Sequence, residues 1–308
     1  MKKILTVLLV LVTISLVGCT GNSGNNKTGE KATKTISTAK GDVEIPTNPK
    51  SAVVDYFMGD ALALGVKPIG TTYIYKGAYF EDELKGIPSI NGDNSYGEYS
   101  MEKIAALNPD LIITAFDTDY DKLSKIAPTV FVDYTNMSTE ERLNLIGEAL
   151  GKEDKVDDVL AELDKEVEKS KATLKEAGVL DKTVSLLETS QKAVYVYGDK
   201  QGRGGDVLYN LLSMKAPEIV EKEIIGGEQW RSLSFEVLAD YIGDYVFIGG
   251  WEEDPMKTVG DNPVWKNTEA VKNDNVIEYN SNAFIYQDVY TTKAQLKEIV
   301  NSLVEKSK

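Results

Sequence analysis

Short apolar runs alternate with amphipathic stretches along most of the chain. The runs at 52–54, 111–114 and 130–132 consist of aliphatic, aromatic or β-branched residues and have the length of buried strands. The segment before the second run predicts a helix that is capped by Ser100 and ends before Pro109, with a strand directly after it. This alternation of helix and strand predicts an α/β fold.

A long, highly charged helix is predicted at 154–176, near the middle of the chain. Its apolar residues are spaced for one helical face, and neither glycine nor proline interrupts it. Beyond this helix, strand patterns resume at 183–187, 193–197 and 245–248, and a helical pattern covers 206–212. The pattern is compatible with a surface helix of one domain, and equally with a rigid strut between two.

An internal repeat favours the strut. Both copies have the form Ser-x-Glu-x-x-Ala, followed by an aspartate that opens an apolar strand, and we expect a helix and a strand in each. At a constant offset of 134 residues, Ser100, Glu102, Ala105 and Asp110 recur as Ser234, Glu236, Ala239 and Asp244. We therefore predict an N-terminal lobe at 41–152, a linking helix at 153–178 and a C-terminal lobe at 179–308.

The first forty residues have the character of an export signal and a tether. Two lysines precede an apolar run at 4–17, which is shorter than the roughly 20 residues that a membrane span needs. The run ends in Leu-Val-Gly-Cys19, which resembles the lipobox of bacterial lipoproteins. The resemblance implies that 1–18 is removed and that the Cys19 thiol carries a lipid anchor. The polar segment 19–40 predicts a flexible tether. The alternative is a buried cysteine in an uncleaved helix.

Composition excludes several classes of partner and chemistry. Loss of the two leader lysines lowers the net charge from −15 to −17, which argues against nucleic acid or an anionic membrane surface as a partner. The chain has no histidine, so a receptor for free zinc is excluded and a haem receptor is disfavoured. No catalytic triad or P-loop is present. A glycosidase built on two of the 49 acidic residues, or a lipoprotein scaffold, remains a distant alternative.

The most specific motif is a glycine-rich segment around Arg203. It reads Tyr-Val-Tyr-Gly-Asp-Lys-Gln-Gly-Arg-Gly-Gly-Asp from Tyr195 onward. We expect the glycines to clear space for a ligand and Arg203 to project into that space, where a planar guanidinium suits hydroxamate or carboxylate oxygens. The alternative is a glycine-rich turn with a solvated arginine. Of Tyr195 and Tyr197 on the preceding strand, we expect only one to face a cleft.

The chain resembles the ABC-importer substrate-binding proteins for siderophores, haem and cobalamin. The resemblance rests on the two predicted lobes, the single linking helix and the paired Ser-x-Glu-x-x-Ala segments. The segment that begins at Tyr195 is similar to one in hydroxamate siderophore receptors of Gram-positive bacteria. The resemblance implies two Rossmann-like lobes with mainly parallel sheets and a cleft between them. It also implies a monomer that is anchored outside the cell membrane only by its lipid. Its cargo would be a ferric siderophore that ligates its own iron, so no cofactor is expected.

The resemblance also implies roles for individual residues. Glu102 and Glu236 would pair with arginines of the permease, although each glutamate also fits a simple capping box. Tryptophans of the similar receptors are replaced here by Gln201 and Ile285. The cleft candidates are Trp230, its neighbour Arg231 and the aromatic residues that follow strands. These positions are equally compatible with the core. The predicted ligand-binding set is Arg203, Tyr195, Tyr286, Trp230, Arg231, Tyr73 and Phe116. Scarce arginine favours a hydroxamate over a highly anionic catecholate; citrate, haem and cobalamin stay open.

Overall fold

The computed structural model describes residues 32–92, 97–190, 192–251 and 254–308. Residues Ala32–Lys308 form one structural unit in which two α/β lobes flank the long helix α5 (Glu153–Glu176). The bounds of α5 match the helix predicted at 154–176 within one residue. In the part of the chain that the structure describes, no helix is both long and apolar enough to cross a membrane.

The described chain begins with an antiparallel hairpin, β1 (Thr33–Thr38) and β2 (Gly41–Pro46). The tether predicted up to residue 40 is therefore wrong from Thr33 onward. Ile36 and Ile45 are 1% and 0% exposed, so each strand inserts one isoleucine into the core. These two buried side chains provide enough hydrophobic contact to order a hairpin whose other residues are mostly polar.

The N-terminal lobe is built on a parallel sheet. The order β3-β4-β5 is extended beyond β3 by isolated parallel bridges, from Val53 to Gly70 and from Thr71 to Ser89. Its three strands are β3 (Ala52–Val54), β4 (Leu111–Thr114) and β5 (Thr129–Phe131). Its helices are α1 (Met58–Ala63), α2 (Met101–Ala106), α3 (Tyr120–Leu123) and α4 (Thr139–Leu150), with short 3-10 turns at Asp117–Asp119 and Tyr134–Asn136.

The C-terminal lobe has a five-stranded sheet in the order β10-β9-β6-β7-β8. Three neighbouring strands are parallel, whereas β7 runs antiparallel to both β6 and β8. The strands are β6 (Val184–Ser190), β7 (Ala193–Tyr197), β8 (Trp230–Leu233), β9 (Tyr245–Gly250) and β10 (Val276–Tyr279). The helices are α6 (Glu218–Val220), α7 (Pro255–Val259), α8 (Pro263–Lys266), α9 (Glu269–Lys272), α10 (Ser281–Phe284) and α11 (Val289–Lys306), with π-helical segments at Asp206–Leu211 and Glu221–Glu228 and a 3-10 turn at Leu238–Tyr241.

The repeated aspartates make the same clamp in both lobes. Asp110 Oδ2 accepts from the Lys50 N–H at 2.9 Å, and the Asp110 N–H donates to Ser51 Oγ at 3.0 Å. In the second lobe, Asp244 Oδ2 accepts from the Thr183 N–H at 2.8 Å, and its own N–H donates to Thr183 Oγ1 at 2.9 Å. Each aspartate thus fixes the start of its strand to the start of the neighbouring parallel strand.

The helical part of the repeat is not conserved between the two copies. Ser100 caps α2 by accepting from the Lys103 N–H at 3.3 Å, as predicted. The second copy instead forms a turn that leads into the 3-10 segment Leu238–Tyr241, so the helix expected there is wrong. Phe235 and Val237 occupy its first turn, and aromatic and β-branched side chains lose more rotamer freedom in a helix than the methionine and lysine of the first copy.

The last helix, α11, packs against helices from earlier parts of the chain. Although α11 lies in the range assigned to the C-terminal lobe, it packs against α1 and α5. Arg142 of α4 donates from Nε to Asp60 Oδ2 at 2.8 Å and from Nη2 to the Gln287 carbonyl at 3.0 Å. Asp288 caps α11 through the Thr291 N–H at 2.8 Å. The three charged residues of this cluster, Asp60, Arg142 and Asp288, are all at least 95% buried.

Candidate ligand-binding cleft

Residues that follow strands of the two sheets contact one another across the lobes. The hydroxyl of Tyr56, two residues after the end of β3, donates to the carbonyl of Ile285, which follows α10, at 3.0 Å. The rings of Tyr75 and Trp251, the latter directly after β9, lie 5.0 Å apart. The carboxyl ends of the two sheets therefore face each other, the arrangement in which open α/β sheets bind ligands.

A continuous run of aromatic rings crosses this region. Centroid distances are 5.9 Å from Phe116 to Tyr56, 5.9 Å from Tyr56 to Tyr286, 6.4 Å from Tyr286 to Tyr75 and 5.5 Å from Tyr75 to Tyr73. Three predicted candidates, Phe116, Tyr286 and Tyr73, are thus brought together. Tyr286 is 3% exposed and supports the run from behind, whereas Phe116 and Tyr73 remain partly accessible.

A buried carboxylate fixes the N-terminal end of this run. Asp55, 2% exposed, accepts from the Tyr99 hydroxyl at 3.1 Å and the Ala115 N–H at 3.0 Å, and also from the Thr114 hydroxyl and the Tyr56 N–H. These donors are neutral. Burial raises the pKa of Asp55, and the hydrogen bonds from its neighbours oppose that rise. Asp55 holds the loops that carry Tyr56 and Phe116 in place.

The glycine-rich loop around Arg203 adopts three successive left-handed conformations. The φ angles are +69° at Gly202, +61° at Arg203 and +84° at Gly204. The Arg203 N–H donates to the Phe284 carbonyl at 2.5 Å, and a Cβ on Gly202 would lie 2.2 Å from the Ile285 carbonyl oxygen. The close approach that glycine permits here is therefore to the chain's own backbone, rather than to a ligand as expected.

The Arg203 side chain occupies a socket and does not project into open space. Its Nε donates to Glu188 Oε2 at 2.7 Å, its Nη1 donates to the Gln201 carbonyl at 2.7 Å, and the guanidinium carbon lies 4.1 Å from the Tyr197 ring centroid. The side chain is 16% exposed. Burial opposes the charged form, but Glu188 together with Tyr197 and Tyr279 outweighs it, and the pKa of Arg203 is raised. The guanidinium is thus oriented without a ligand present.

The two tyrosines of β7 lie on the same face of the sheet. Tyr197 lies under Arg203, and Tyr195 is paired with Glu188 across the strands and contacts Trp230 at 6.0 Å between ring centroids. The expectation that only one of them would face this side was wrong, because residues two apart in a strand share a face. Trp230 is 48% exposed and is paired across the strands with Tyr197, the residue under Arg203.

Arg231 is not brought together with the other candidates. It alternates with Trp230 along β8 and therefore points to the opposite face of the sheet. There its Nη1 donates to Glu223 at 2.5 Å and its Nε donates to Glu228 at 3.0 Å. These pairs belong to the outer surface of the C-terminal lobe.

Glu102 and Glu236 are both exposed, one in each lobe. Glu102 stands at the second position of α2, and the Ser100 N–H donates to the Ile90 carbonyl at 2.8 Å. The capping box considered for Glu102 is therefore not formed. Cys19, the predicted lipidation site, lies outside the described residues.

Sequence reasoning missed the partners of Arg203 and the centre of the aromatic run. Glu188 could have been identified from the sequence, since it is the only charged residue in β6, whose other residues are apolar or bear a hydroxyl group. Tyr56 could also have been identified, because it lies two residues after the end of a strand, as Phe116 does. Within the described residues, no group of three or more His, Cys, Asp or Glu side chains is arranged to hold a metal ion.

The sequence profile of a family described as periplasmic binding protein matches residues 54–283, about three quarters of the chain. The chain belongs to this periplasmic binding protein family. The iron(3+)-hydroxamate-binding protein FhuD of Bacillus subtilis is 38% identical over 280 residues, which cover 89% of this chain and 87% of FhuD. FhuD is a binding protein, and this periplasmic binding protein is likewise a binding protein rather than an enzyme.

Solved structures of the family have the same fold. The FhuD protein from S. pseudintermedius superimposes with a TM-score of 0.78 at 28% identity, covering 89% of this chain and 98% of that one. FhuD2 from Staphylococcus aureus with bound ferrioxamine B gives 0.75 at 29% identity, covering 84% and 100%. The predicted two-lobed α/β fold of this periplasmic binding protein is confirmed.

Proposed function

We propose that this chain binds a ferric siderophore of the hydroxamate type in the cleft and presents it to an ABC permease for iron uptake. The observation that carries the proposal is the Arg203 socket, which presents a pre-oriented donor opposite an aromatic run. A siderophore supplies the ligands to its own iron, so its receptor needs aromatic surface and hydrogen-bond donors rather than a metal site. The hydroxamate named for FhuD and the ferrioxamine B bound to FhuD2 support this ligand class.

In this proposal the lobes contribute different surfaces. Arg203 donates to hydroxamate oxygens, and Tyr195 and Trp230 form the wall beside it. Phe116 and Tyr73 form the facing wall. Tyr286 supports that wall from behind, and Arg231 takes no part. Gln201 and Ile285 stand where the resemblance implies tryptophans in similar receptors, and their carbonyls accept from Arg203 and Tyr56.

The same proposal places the protein outside a Gram-positive cell membrane as a monomer, held by a lipid on Cys19. Glu102 and Glu236, exposed on separate lobes, would pair with cationic residues of the permease subunits and orient the docked complex. Exposed pairs of this kind guide encounter and register more than they add affinity.

The direct test is a titration of intrinsic Trp and Tyr fluorescence in the chain from Thr20 onward. Its ligands are ferrioxamine B, ferrichrome, ferric citrate, a ferric catecholate, haem and cobalamin. We expect saturable submicromolar quenching by a ferric hydroxamate. Arg203→Ala should weaken that binding by on the order of a hundredfold, whereas Arg231→Ala, the same substitution on the opposite face of the sheet, should leave it unchanged. Binding of citrate, catecholate, haem or cobalamin alone would overturn the ligand class, and no binding at all would overturn the function.

A further inference from the structure

Glu188 is a buried acid whose described ion-pair partner is Arg203. Its side chain is 3% exposed, and Oε2 accepts from Arg203 Nε at 2.7 Å. It extends from the interior of β6, a rigid central strand hydrogen-bonded to β7 on one side and β9 on the other. A carboxylate placed in this way holds the guanidinium in one orientation and cancels its charge locally.

The pair leaves part of the guanidinium available. Nε is engaged by Glu188 and Nη1 by Gln201, whereas Nη2 makes no hydrogen bond to any residue that the structure describes. The Tyr197 ring covers one face of the group at 4.1 Å. Arg203 can therefore donate to a ligand oxygen through its outer edge while its charge remains balanced from behind.

A second buried acid lies at the carboxyl end of the N-terminal sheet. Asp55 in the N-terminal lobe is held by neutral donors, the hydroxyls of Tyr99 and Thr114 among them. Arg203 and Glu188 together carry no net charge, so these three residues provide no uncompensated positive charge. These three residues thus offer a ligand a donor without adding a cationic field.

From these observations we infer that Glu188 determines the charge preference of the cleft by positioning Arg203 and neutralising it, so that cationic ferric hydroxamates bind more tightly than anionic ones of the same shape. The inference rests on the proposed function and narrows its substrate class. Glu188 does not need to touch the ligand for this effect, and it acts as a positioning residue.

The test uses three ligands with one iron-binding core: ferrioxamine B, which carries a free ammonium group, its N-acetyl derivative, which is neutral, and its N-succinyl derivative, which is anionic. The dissociation constants are measured by fluorescence quenching at low and high salt. For the wild-type protein we expect the cationic ligand to bind about tenfold more tightly than the anionic one at low salt, with a smaller ratio at high salt.

Glu188→Gln keeps an oxygen for the hydrogen bond to Nε and removes the negative charge. In this variant we expect the preference for the cationic ligand to disappear or reverse, a change in the ratio of about tenfold or more. Glu223→Gln is the matched control, because it removes the same charge from the acid that pairs with Arg231 on the opposite face of the sheet. Its ratio should equal that of the wild type.

Each outcome decides the inference. Equal binding of the three ligands to the wild type would overturn it, as would a Glu188→Gln variant that weakens all three by one common factor. If Glu188→Gln does not fold, the order of the three wild-type constants decides, since tighter binding of the anionic ligand would show that Arg203 is not neutralised. A wild type that binds none of the ligands would overturn the proposed function itself.

Discussion

Two buried arginine–carboxylate pairs in this protein have the same chemistry and different surroundings. Arg142 is 5% exposed and lies between Asp60 and the backbone at Gln287, with Asp288 close by. Arg203 is 16% exposed and has Glu188 as its carboxylate partner. The first pair joins α4 to α1, next to the start of α11, and is enclosed by protein. The second pair borders the cleft and keeps an outer edge free.

This difference shows what distinguishes a structural ion pair from a binding one. Burial and a carboxylate partner are common to both pairs, so neither feature identifies a ligand site. The distinguishing feature is whether the cation retains donors directed at an opening. The third arginine, Arg231, also has carboxylate partners, but it lies on an exposed surface and is not directed at the cleft.

The largest expected effect is the loss of stability when the cation of the Arg142 pair is removed. Arg142→Met leaves Asp60 and Asp288 buried without their cation and should lower the free energy of unfolding by about 3–5 kcal/mol. Ligand affinity of the folded protein should change by less than about twofold, because the pair is enclosed by protein and Arg142 is only 5% exposed. Urea denaturation followed by circular dichroism measures the first effect and fluorescence titration the second. Arg231→Met is the control and should leave the denaturation midpoint in place; an equal shift in both variants would contradict the distinction.

The next largest effect concerns Asp55, the buried acid at the carboxyl end of the N-terminal sheet. Asp55→Ala removes the acceptor for several buried donors and should cost about 2–3 kcal/mol of stability. Asp42→Ala, on the exposed hairpin, serves as the control in the same urea experiment. If Asp55→Ala altered the preference between cationic and anionic ligands as strongly as Glu188→Gln, the assignment of that preference to the C-terminal lobe would be wrong.

A pH titration sharpens the account of the Arg142 cluster. Burial, with Asp60 adding to it, raises the pKa of Asp288 from 3.8 to about 7. The folded protein therefore retains a proton that the unfolded chain releases near pH 4, so this stabilisation is complete below pH 4 and is lost as pH rises through about 7. Asp288→Asn keeps the helix cap and should remove this fall, on the order of 2 kcal/mol.

The measurement is the free energy of unfolding at pH 5 and pH 8 for the wild type and the variant. Asp254→Asn, which changes the exposed cap of α7, is the matched control and should follow the wild type. Parallel pH profiles for the wild type and Asp288→Asn would show that Asp288 does not titrate in this range.

The smallest expected effect concerns the wall of the cleft. Trp230→Ala should weaken ferric hydroxamate binding by about fivefold to tenfold, because a half-exposed aromatic side chain loses its stacking surface. Stability should hardly change. Val237→Ala, at the other exposed large hydrophobic residue of the described chain, is the control. Equal affinity in the two variants would remove Trp230 from the site.

Much of the fold was predictable because its strands are short continuous apolar runs. The bounds of β3, β4 and β7 coincide with the predicted ones. The hairpin strand β1 was missed, since a single isoleucine among threonines, serine and lysine gives little periodicity. The Arg142 cluster was also out of reach, because its members are brought together only by tertiary packing, and Arg142 and Asp60 are 82 positions apart in the sequence.

The site was predictable in part for a similar reason. Arg203 was identified because glycines surround it, and the aromatic candidates because they follow strands. The pairing with Glu188 depends on which face of β6 meets the loop 15 residues later, and a sequence pattern does not fix that contact. The socket therefore emerged only from the structure.

The most direct test is a crystal structure of the protein with bound ferrioxamine B. We predict the iron complex between Trp230 and Phe116, with a hydroxamate oxygen accepting from the outer edge of the Arg203 guanidinium and the Arg203–Glu188 pair intact. A complex bound elsewhere on the molecule, or one in which Arg203 has left Glu188 and turned away from the ligand, would contradict the account.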